Sequence, residues 1–199
     1  MDPTQRDYRI KTAVRRAYSA ASLHPRERHP FPVGGVFARS LGYPAELLAT
    51  LPAEAVDSFA GVSTVSLFAE LHPGMRVLDV GCGAGLDSLI AGRRVKSAGL
   101  VVGIDFSHAM LKRAKRAKRI ALARNVCFCR ADAERLPLET DSIDAVLVNG
   151  IFNLNPARTE ILTELARVLK PGGALWAAEL ILRQPLSPDI PASEQDWFA

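Results

Sequence analysis

A short run of β-forming residues at positions 77–80 leads directly into a cluster of three glycines, Gly81, Gly83 and Gly85. Glycine permits a tight turn and lets a ligand approach the backbone closely. A helical pattern follows over residues 86–96, so the cluster joins a strand to the start of a helix, where unpaired N–H groups favour ligand binding. The sequence therefore predicts a ligand-binding turn, and a turn of this kind favours a fold built on a parallel sheet.

Strands and helices alternate through the chain after residue 73. Ser107 is the predicted N-cap of one helix, and Asn155 is the predicted N-cap of another that carries Leu162 on its buried face. This spacing predicts right-handed βαβ units. The further β-rich runs cover residues 100–104, 126–129, 145–148 and 174–182.

Residues 1–72 show helices and loops but no strand pattern. Three prolines make residues 24–34 irregular, because proline removes a backbone donor and disfavours helix before it. We therefore predict an N-terminal helical cap over residues 1–72 and a sheet-containing domain over residues 73–199. The predicted helices of the cap cover residues 5–22, 44–51 and 64–71.

The composition suits a globular domain with a sizeable core, since the 199 residues are 48% apolar and 23% charged. Three cysteines, an odd number, argue against a disulfide framework. No stretch approaches about 18 uninterrupted apolar residues, and the first residues are too charged for a signal peptide. We expect a cytoplasmic protein with no membrane partner and no metal site.

The basic charge of the chain is concentrated in one segment. The net charge is +4, yet six basic residues lie within residues 112–119, and the rest of the chain without them has a net charge of −2. Such a run is usually the solvated face of a helix. Because the rest of the chain is not basic, the overall charge does not favour nucleic acid as a partner.

Acidic residues lie at the ends of three of the strand patterns. Asp79 precedes the glycine cluster, Asp105 lies 20 residues beyond Gly85, and Asp132 follows the third strand. A carboxylate at the second position can accept hydrogen bonds from ribose hydroxyls, and Phe106 beside it can lie against a purine. Three carboxylates at one sheet edge repel a pyrophosphate and attract a sulfonium and an ammonium. With a GxGxG spacing instead of GxGxxG, the pattern favours S-adenosylmethionine over NAD.

Five segments extend this interpretation to a family. VLDVGCGAGLD, GIDFSHAML, ADAERLP, DSIDAVLVNG and RVLKPGGAL resemble, in order and spacing, the motifs of class I S-adenosylmethionine-dependent methyltransferases. LGYPAELLATLPAEAVDSFAGVS and NGIFNLNP resemble the arsenite methyltransferase subfamily. The first resemblance covers residues 73–182 and implies an α/β, doubly wound, Rossmann-like and mostly parallel sheet of strand order 3-2-1-4-5.

The resemblance implies roles at the methionine end of the cofactor. The three glycines of the cluster would line this end together with Cys82, and Asp79 would hold its amino group. Asn149, after the fourth strand, would sit near the sulfonium and the methyl acceptor. Tyr18 would close over the cofactor as part of a lid, and no position is implied to act as a catalytic base.

The resemblance also implies how the adenosine would be bound. Asp105 would hold the ribose, and Phe106 would cover one face of the adenine. Asp132 and the backbone of Ala133 would meet the adenine edge. The implied cofactor is S-adenosylmethionine, and the implied partner is a small-molecule methyl acceptor.

The cysteines depart from the subfamily pattern, which is expected to hold trivalent arsenic with three thiolates. Cys82 is the first cysteine, Gly150 stands where the second thiol is expected, and Cys129 is the last cysteine. Cys127 and Cys129 lie two apart on the third strand, so they are predicted to face one side and to be buried as small hydrophobes. Arsenite, a thiol, a quinone and other small metabolites all remain open as acceptors.

Two other classes of protein stay open at this point: an NAD-binding oxidoreductase, and a non-catalytic or RNA-associated cofactor-binding protein. The residues after the fifth strand are too few for the last helix and antiparallel strand pair of the family. We therefore expect a C-terminally shortened domain, with a second copy or a partner covering the exposed sheet edge.

Overall fold

The computed structural model describes residues 3–181. Five helices precede the first strand, and the following elements alternate except between β3 and β4. The elements are α1 (Pro3–Leu23), α2 (Gly35–Ser40), α3 (Ala45–Ala49), α4 (Ala53–Val56), α5 (Val65–Phe68), β1 (Arg76–Val80), α6 (Leu86–Val95), β2 (Leu100–Asp105), α7 (His108–Ile120), β3 (Val126–Arg130), β4 (Ile143–Asn149), α8 (Arg158–Val168) and β5 (Leu169–Ala178).

The five strands form one sheet of order β3-β2-β1-β4-β5, and every neighbouring pair is parallel. This confirms the predicted doubly wound, Rossmann-like α/β fold. The register pairs Asp79 of β1 with Gly103 of β2 and with Leu147 of β4. Because all strands are parallel, their carboxyl ends meet at one edge of the sheet, where the loops after β1, β2, β3 and β4 converge.

Alternating side chains of the strands build two cores, one on each face of the sheet. On one face Val77 of β1 packs in a cluster that includes residues of α6 and α7. On the other face Leu78 packs in a cluster with Ile161 and Leu165 of α8. Burying both faces fits the nearly continuous apolar sequence of β1 and β4.

The last helix begins later than the sequence predicts. Asn155 does not cap α8; its Oδ1 accepts the backbone N–H of Ala157 at 2.9 Å, in a turn before the helix starts at Arg158. Leu162, predicted to be buried, is 48% exposed. The N-cap prediction for Ser107 is confirmed, because its side chain accepts the N–H of Met110.

The prediction that two strand cysteines are buried is wrong. Cys127 and Cys129 are both exposed, whereas Val126, which precedes them, and Phe128, which lies between them, are buried. β3 is an edge strand, and its buried residues pack in the cluster of α6 and α7. The two thiols therefore face the opposite side of the sheet, away from these two helices.

The basic segment lies on α7 and is partly tied to the N-terminal helices. Arg113 donates to the backbone oxygens of Glu54 and Ser22, both at 3.1 Å, and Arg116 forms an ion pair with Glu54 at 2.8 Å. Lys112 is exposed. Within residues 3–181, no helix combines the length and the apolar character that crossing a membrane requires.

Candidate functional site

The carboxyl edge of the sheet brings together the side chains that end the strands. Asp79 is the penultimate residue of β1, Asp105 the last residue of β2 and Asn149 the last residue of β4. Asp132 lies in the loop that follows β3. In open α/β sheets this edge, near the point where the strand order reverses, is where ligands bind.

Two adjoining cavities run along this edge. Counted out to the open mouth, one has a volume of about 660 Å³ and the other about 590 Å³, and on this measure we call them the larger and the smaller cavity. Gly81, Asp105 and Phe106 line both cavities and so form the boundary between them. The edge can thus hold one elongated ligand that crosses from β4 to β3.

Ten of the eleven predicted site residues line these cavities. Gly85 lines neither cavity: it has φ +89° at the N-cap of α6, and a Cβ there would lie 2.7 Å from the Phe128 ring. The larger cavity is lined by Tyr18, Asp79, Gly81, Cys82, Gly83, Asp105, Phe106 and Asn149. The smaller cavity is lined by Gly81, Asp105, Phe106, Asp132 and Ala133.

The two buried carboxylates after β1 and β2 have different partners. Asp79 Oδ2 accepts the hydroxyl of Ser88 at 2.5 Å, and burial, with the nearby charge of Asp87, raises the pKa of Asp79 to about 8. Asp105 accepts the backbone N–H groups of Gly83 and Ser107 at 3.0 and 2.7 Å. Burial raises the pKa of Asp105 to about 6. Both carboxyl groups therefore gain their charge more easily when a cation binds beside them.

Sequence reasoning missed a third buried carboxylate, Asp87 in the first turn of α6. Its Oδ1 accepts the hydroxyls of Tyr43, at 2.5 Å, and of Ser66, and its Oδ2 accepts Asn149 Nδ2 at 2.8 Å. Burial raises the pKa of Asp87. The three partners come from distant parts of the chain, so no local sequence signal distinguishes Asp87 from an ordinary first-turn acid.

The side chain of Asn149 fixes a segment of the N-terminal region. Its Oδ1 accepts the N–H groups of Val62 and Ser63 at 2.8 and 3.1 Å, and its Nδ2 donates to Ser63 O at 2.7 Å as well as to Asp87. A Cβ on Gly61 would lie 2.5 Å from Asn149 Nδ2. Asn149 lines the larger cavity and fixes the segment of residues 58–63, of which residues 58–61 line the same cavity.

Another acid missed by sequence reasoning, Glu179, fixes the loop after β4. Its carboxylate accepts the N–H groups of Ile151 and Phe152 at 2.7 and 2.9 Å. Ile151 lines both cavities.

Helix α1 lies across the smaller cavity and is tied to its rim. Lys11 forms an ion pair with Glu134 at 2.6 Å. Arg15 approaches Asp132 at 4.0 Å, and its guanidinium lies 5.4 Å from the centre of the Phe106 ring. Side chains of α1 therefore form a wall of the smaller cavity, whereas the sequence predicted a contact from this helix only at Tyr18, which lines the larger cavity.

The larger cavity has an acidic lining. Among the described residues that line it are Asp79, Asp87 and Asp105, and none is a lysine, arginine or histidine. In the smaller cavity Lys11 is paired with Glu134, and Arg15 lies beside Asp132. This distribution of charge suits a ligand with a sulfonium and an ammonium, and it opposes a pyrophosphate.

Thiols are scarce around the cavities. Cys82 is the one cysteine among the residues that line them, and its burial raises the pKa of the thiol well above its usual value. Gly150 has φ +77°, and a Cβ there would lie 3.0 Å from Val62. Among residues 3–181, no group of three or more His, Cys, Asp or Glu side chains is arranged to hold a metal ion.

The chain matches a known protein family whose chemistry is consistent with this site. The fold and the acidic, glycine-lined edge define the class of Rossmann-like S-adenosylmethionine-binding proteins. A family model described as a methyltransferase domain matches residues 71–197. The chain therefore belongs to the family of S-adenosylmethionine-dependent methyltransferase domains, with S-adenosylmethionine as cofactor.

Individual relatives differ in the acceptor they are named for. The chain is 32% identical over 150 residues to an arsenite methyltransferase of Halobacterium salinarum, covering 75% of this chain and 38% of the relative. It is 41% identical over 128 residues to a 2-phytyl-1,4-naphthoquinone methyltransferase of Synechococcus elongatus, covering 63% and 54%. The crystal structure of an arsenic(III) S-adenosylmethionine methyltransferase from Chlamydomonas reinhardtii is similar, with a TM-score of 0.54, 32% identity, and coverage of 72% and 48%. The chain thus spans between about two fifths and about half of the length of these relatives.

Proposed function

We propose that this chain transfers the methyl group of S-adenosylmethionine to an uncharged small organic molecule. The observation that carries the proposal is the acidic lining of the larger cavity, where Asp79, Asp87 and Asp105 meet with no basic side chain among the described lining residues. A sulfonium cofactor favours the ionised form of these three acids and is stabilised by it, whereas NAD would bring its negatively charged pyrophosphate beside the same acids.

We assign the methionine end of the cofactor to the larger cavity. Asp79 would hold the amino group, and the backbone of Gly81, Cys82 and Gly83 would line this end. Gly83 has φ +53° and nothing within 4 Å of its missing Cβ, so the loop leaves open space beside its backbone. Gly85, which lines no cavity, would serve the turn into α6.

We assign the adenosine to the boundary and the smaller cavity. Asp105, whose two oxygens already accept one N–H group each, has further lone pairs for the ribose hydroxyls. Phe106 would cover one adenine face, and Asp132 with Ala133 would meet the adenine edge. These residues line one continuous edge of the sheet, as an elongated ligand requires.

The protein would contribute alignment and exclusion of water. When bound, the cofactor supplies a methyl group already activated by its sulfonium. Tyr18 and Val14 of α1 and the segment fixed by Asn149 would close the larger cavity on the side away from the sheet. Holding the reacting groups in line and dry accounts for most of the acceleration such a transfer needs. We assign no general base.

We infer the class of methyl acceptor from the side chains that line the two cavities. Relatives named for arsenite and for a naphthoquinone make both acceptors candidates. Soft trivalent arsenic is best held by several thiolates, but among the described residues that line the cavities the one thiol is that of the buried Cys82, and Gly150 occupies a left-handed backbone position. An organic acceptor, such as a hydroquinone, is therefore favoured.

The organisation of the chain belongs to the same proposal. Residues 1–72 would act as the cap of the site, and residues 73–199 as the cofactor-binding domain. A second copy or a partner would cover the edge of the sheet at β5, where Leu175 is exposed. The tail predicted to be too short for the last family elements lies outside the described residues.

Turnover with a panel of acceptors tests the proposal. The purified chain is incubated with S-adenosylmethionine and, separately, with a reduced naphthoquinone, a small thiol or arsenite, and S-adenosylhomocysteine formation is measured. We expect turnover with the hydroquinone and none above background with arsenite. Turnover with arsenite alone would contradict the assigned acceptor class, and turnover with none of the three would contradict the proposed activity.

A further inference from the structure

One buried hydroxyl in the larger cavity has no partner. Ser58 is 2% exposed and lines that cavity, and its Oγ makes no hydrogen bond to any described residue. Within residues 3–181, the other buried side-chain polar atoms in this situation belong to Ser22, Asn153 and Trp176, none of which lines either cavity. Buried polar groups are nearly always paired, so the hydroxyl of Ser58 is in place for a ligand.

The charge of the cavity restricts which part of the ligand this hydroxyl meets. The methionine end of the cofactor carries an ammonium and a carboxylate. Asp79, Asp87 and Asp105 suit the ammonium, but no lysine, arginine or histidine among the described lining residues is available for the carboxylate. The carboxylate must therefore be met by uncharged donors, for which a hydroxyl or a backbone N–H is suitable.

A second donor set lies in the same cavity. Helix α6 begins at Leu86, and both Leu86 and Asp87 line the larger cavity. The first turn of a ten-residue helix presents N–H groups without intrahelical partners and the positive end of the helix dipole. The Ser58 hydroxyl and this helix start therefore offer uncharged donors to one carboxylate.

The segment that carries Ser58 is fixed without a ligand. Phe59 O accepts the N–H of Gly34 at 2.8 Å, and Val62 and Ser63 donate to Asn149. A hydroxyl on a fixed segment loses little conformational freedom when a ligand binds.

We propose that the Ser58 hydroxyl donates a hydrogen bond to the α-carboxylate of the methionine end of the cofactor. The proposal rests on the cofactor position assigned under the proposed function. It makes the N-terminal region part of the cofactor site and gives Ser58 a role in recognising the amino-acid portion of the ligand.

The test compares two ligands that differ in that portion. S-adenosylhomocysteine carries the carboxylate, whereas 5′-methylthioadenosine has the same adenosine and thioether but neither amino nor carboxyl group. Calorimetric titration of Ser58→Ala should show S-adenosylhomocysteine affinity lowered about 10- to 100-fold, as for a lost hydrogen bond to a charged group. The affinity for 5′-methylthioadenosine should stay within about twofold of the unsubstituted protein, because this ligand has nothing for Ser58 to bind.

Ser22→Ala is the matched control, because Ser22 is also buried and unpaired but lines neither cavity. It should leave both affinities unchanged, and Ser58→Ala should melt no lower than the unsubstituted chain, since it removes an unpaired buried hydroxyl. Unchanged S-adenosylhomocysteine affinity in Ser58→Ala, or equal weakening of both ligands, would overturn the role of Ser58 and leave the proposed function standing. Failure of the unsubstituted chain to bind either ligand would overturn both.

Discussion

The two buried carboxyl groups at the ends of β1 and β2 differ in the number of hydrogen bonds that stabilise their ionised form in the ligand-free chain. Asp105 accepts two backbone N–H groups, while Asp79 accepts one hydroxyl and lies near Asp87. The pKa of Asp79, raised to about 8, makes this group largely protonated near neutral pH. A cationic ligand would favour its ionised form, so binding of such a ligand is coupled to loss of a proton.

This coupling predicts a pH dependence for both stability and binding. Because the pKa of Asp79 in the folded chain lies above its usual value, the group stabilises the ligand-free fold at low pH, and that contribution is lost as pH rises through about 8. The melting temperature of the ligand-free chain should therefore fall between pH 5 and pH 8, and S-adenosylmethionine affinity should rise over the same range. Differential scanning calorimetry and calorimetric titration measure the two quantities.

Asp79→Asn is the comparison for these measurements, because it keeps the shape of the side chain and cannot ionise. The melting temperature and the S-adenosylmethionine affinity should both depend less on pH in the variant. The ligand's own amino group titrates in the same way with both proteins, so it does not contribute to the difference between them. If the variant and the unsubstituted chain show equal slopes, Asp79 is not the titrating group.

At the scale of elements, hydrophobic period and glycine position sufficed to predict the strands and most of the helices. The β1–loop–α6 unit could be predicted because Gly81 and Gly85 adopt backbone conformations that favour glycine, with φ +66° and +89°. The network around Asp87 could not be predicted, because Tyr43 and Asn149 lie 44 and 62 residues away in the sequence. The prediction that Cys127 is buried is wrong for a similar reason, since an edge strand is covered only where helices of the fold reach it.

Helix α1 gives a prediction at this scale. If α1 helps to close the adenosine side of the site, Lys11→Glu should repel Glu134, loosen α1 and lower S-adenosylhomocysteine affinity about two- to fivefold. Titration calorimetry measures the affinity, and limited proteolysis followed by mass spectrometry reports cleavage within α1.

Two further variants complete the α1 experiment. Lys112→Glu makes the same change in net charge at an exposed position of α7 and should leave the affinity unchanged. Lys11→Glu combined with Glu134→Lys restores opposite charges and should recover part of the lost affinity. An effect of Lys112→Glu as large as that of Lys11→Glu would show that net charge, and not the docking of α1, sets the affinity.

At the scale of the whole molecule, the parallel sheet and the N-terminal helices together make one elongated site. The cofactor class was accessible from sequence because strand-end acids and glycines are local to the motifs. The acceptor was less accessible, since the larger cavity is also walled by residues that lie before β1 and outside the strand-end motifs, among them Ser58 and Gly61. Membership of the methyltransferase family therefore supports the proposed reaction class, while the lining of the cavity carries the proposal on the acceptor.

A calorimetric titration decides directly whether the site at the sheet edge binds the S-adenosylmethionine class of ligand or NAD. The unsubstituted chain is titrated with S-adenosylhomocysteine and with NADH, beside Asp105→Ala and Asp144→Ala. Asp144 accepts the N–H of Arg76 and pairs with Lys170 near the opposite end of the sheet, so its substitution should affect stability alone.

Assignment of the site to S-adenosylmethionine predicts one molecule of S-adenosylhomocysteine per chain, no NADH binding, an affinity loss of at least about 100-fold in Asp105→Ala, and none in Asp144→Ala. NADH binding without S-adenosylhomocysteine binding, or an Asp105→Ala variant with unchanged affinity, would contradict it.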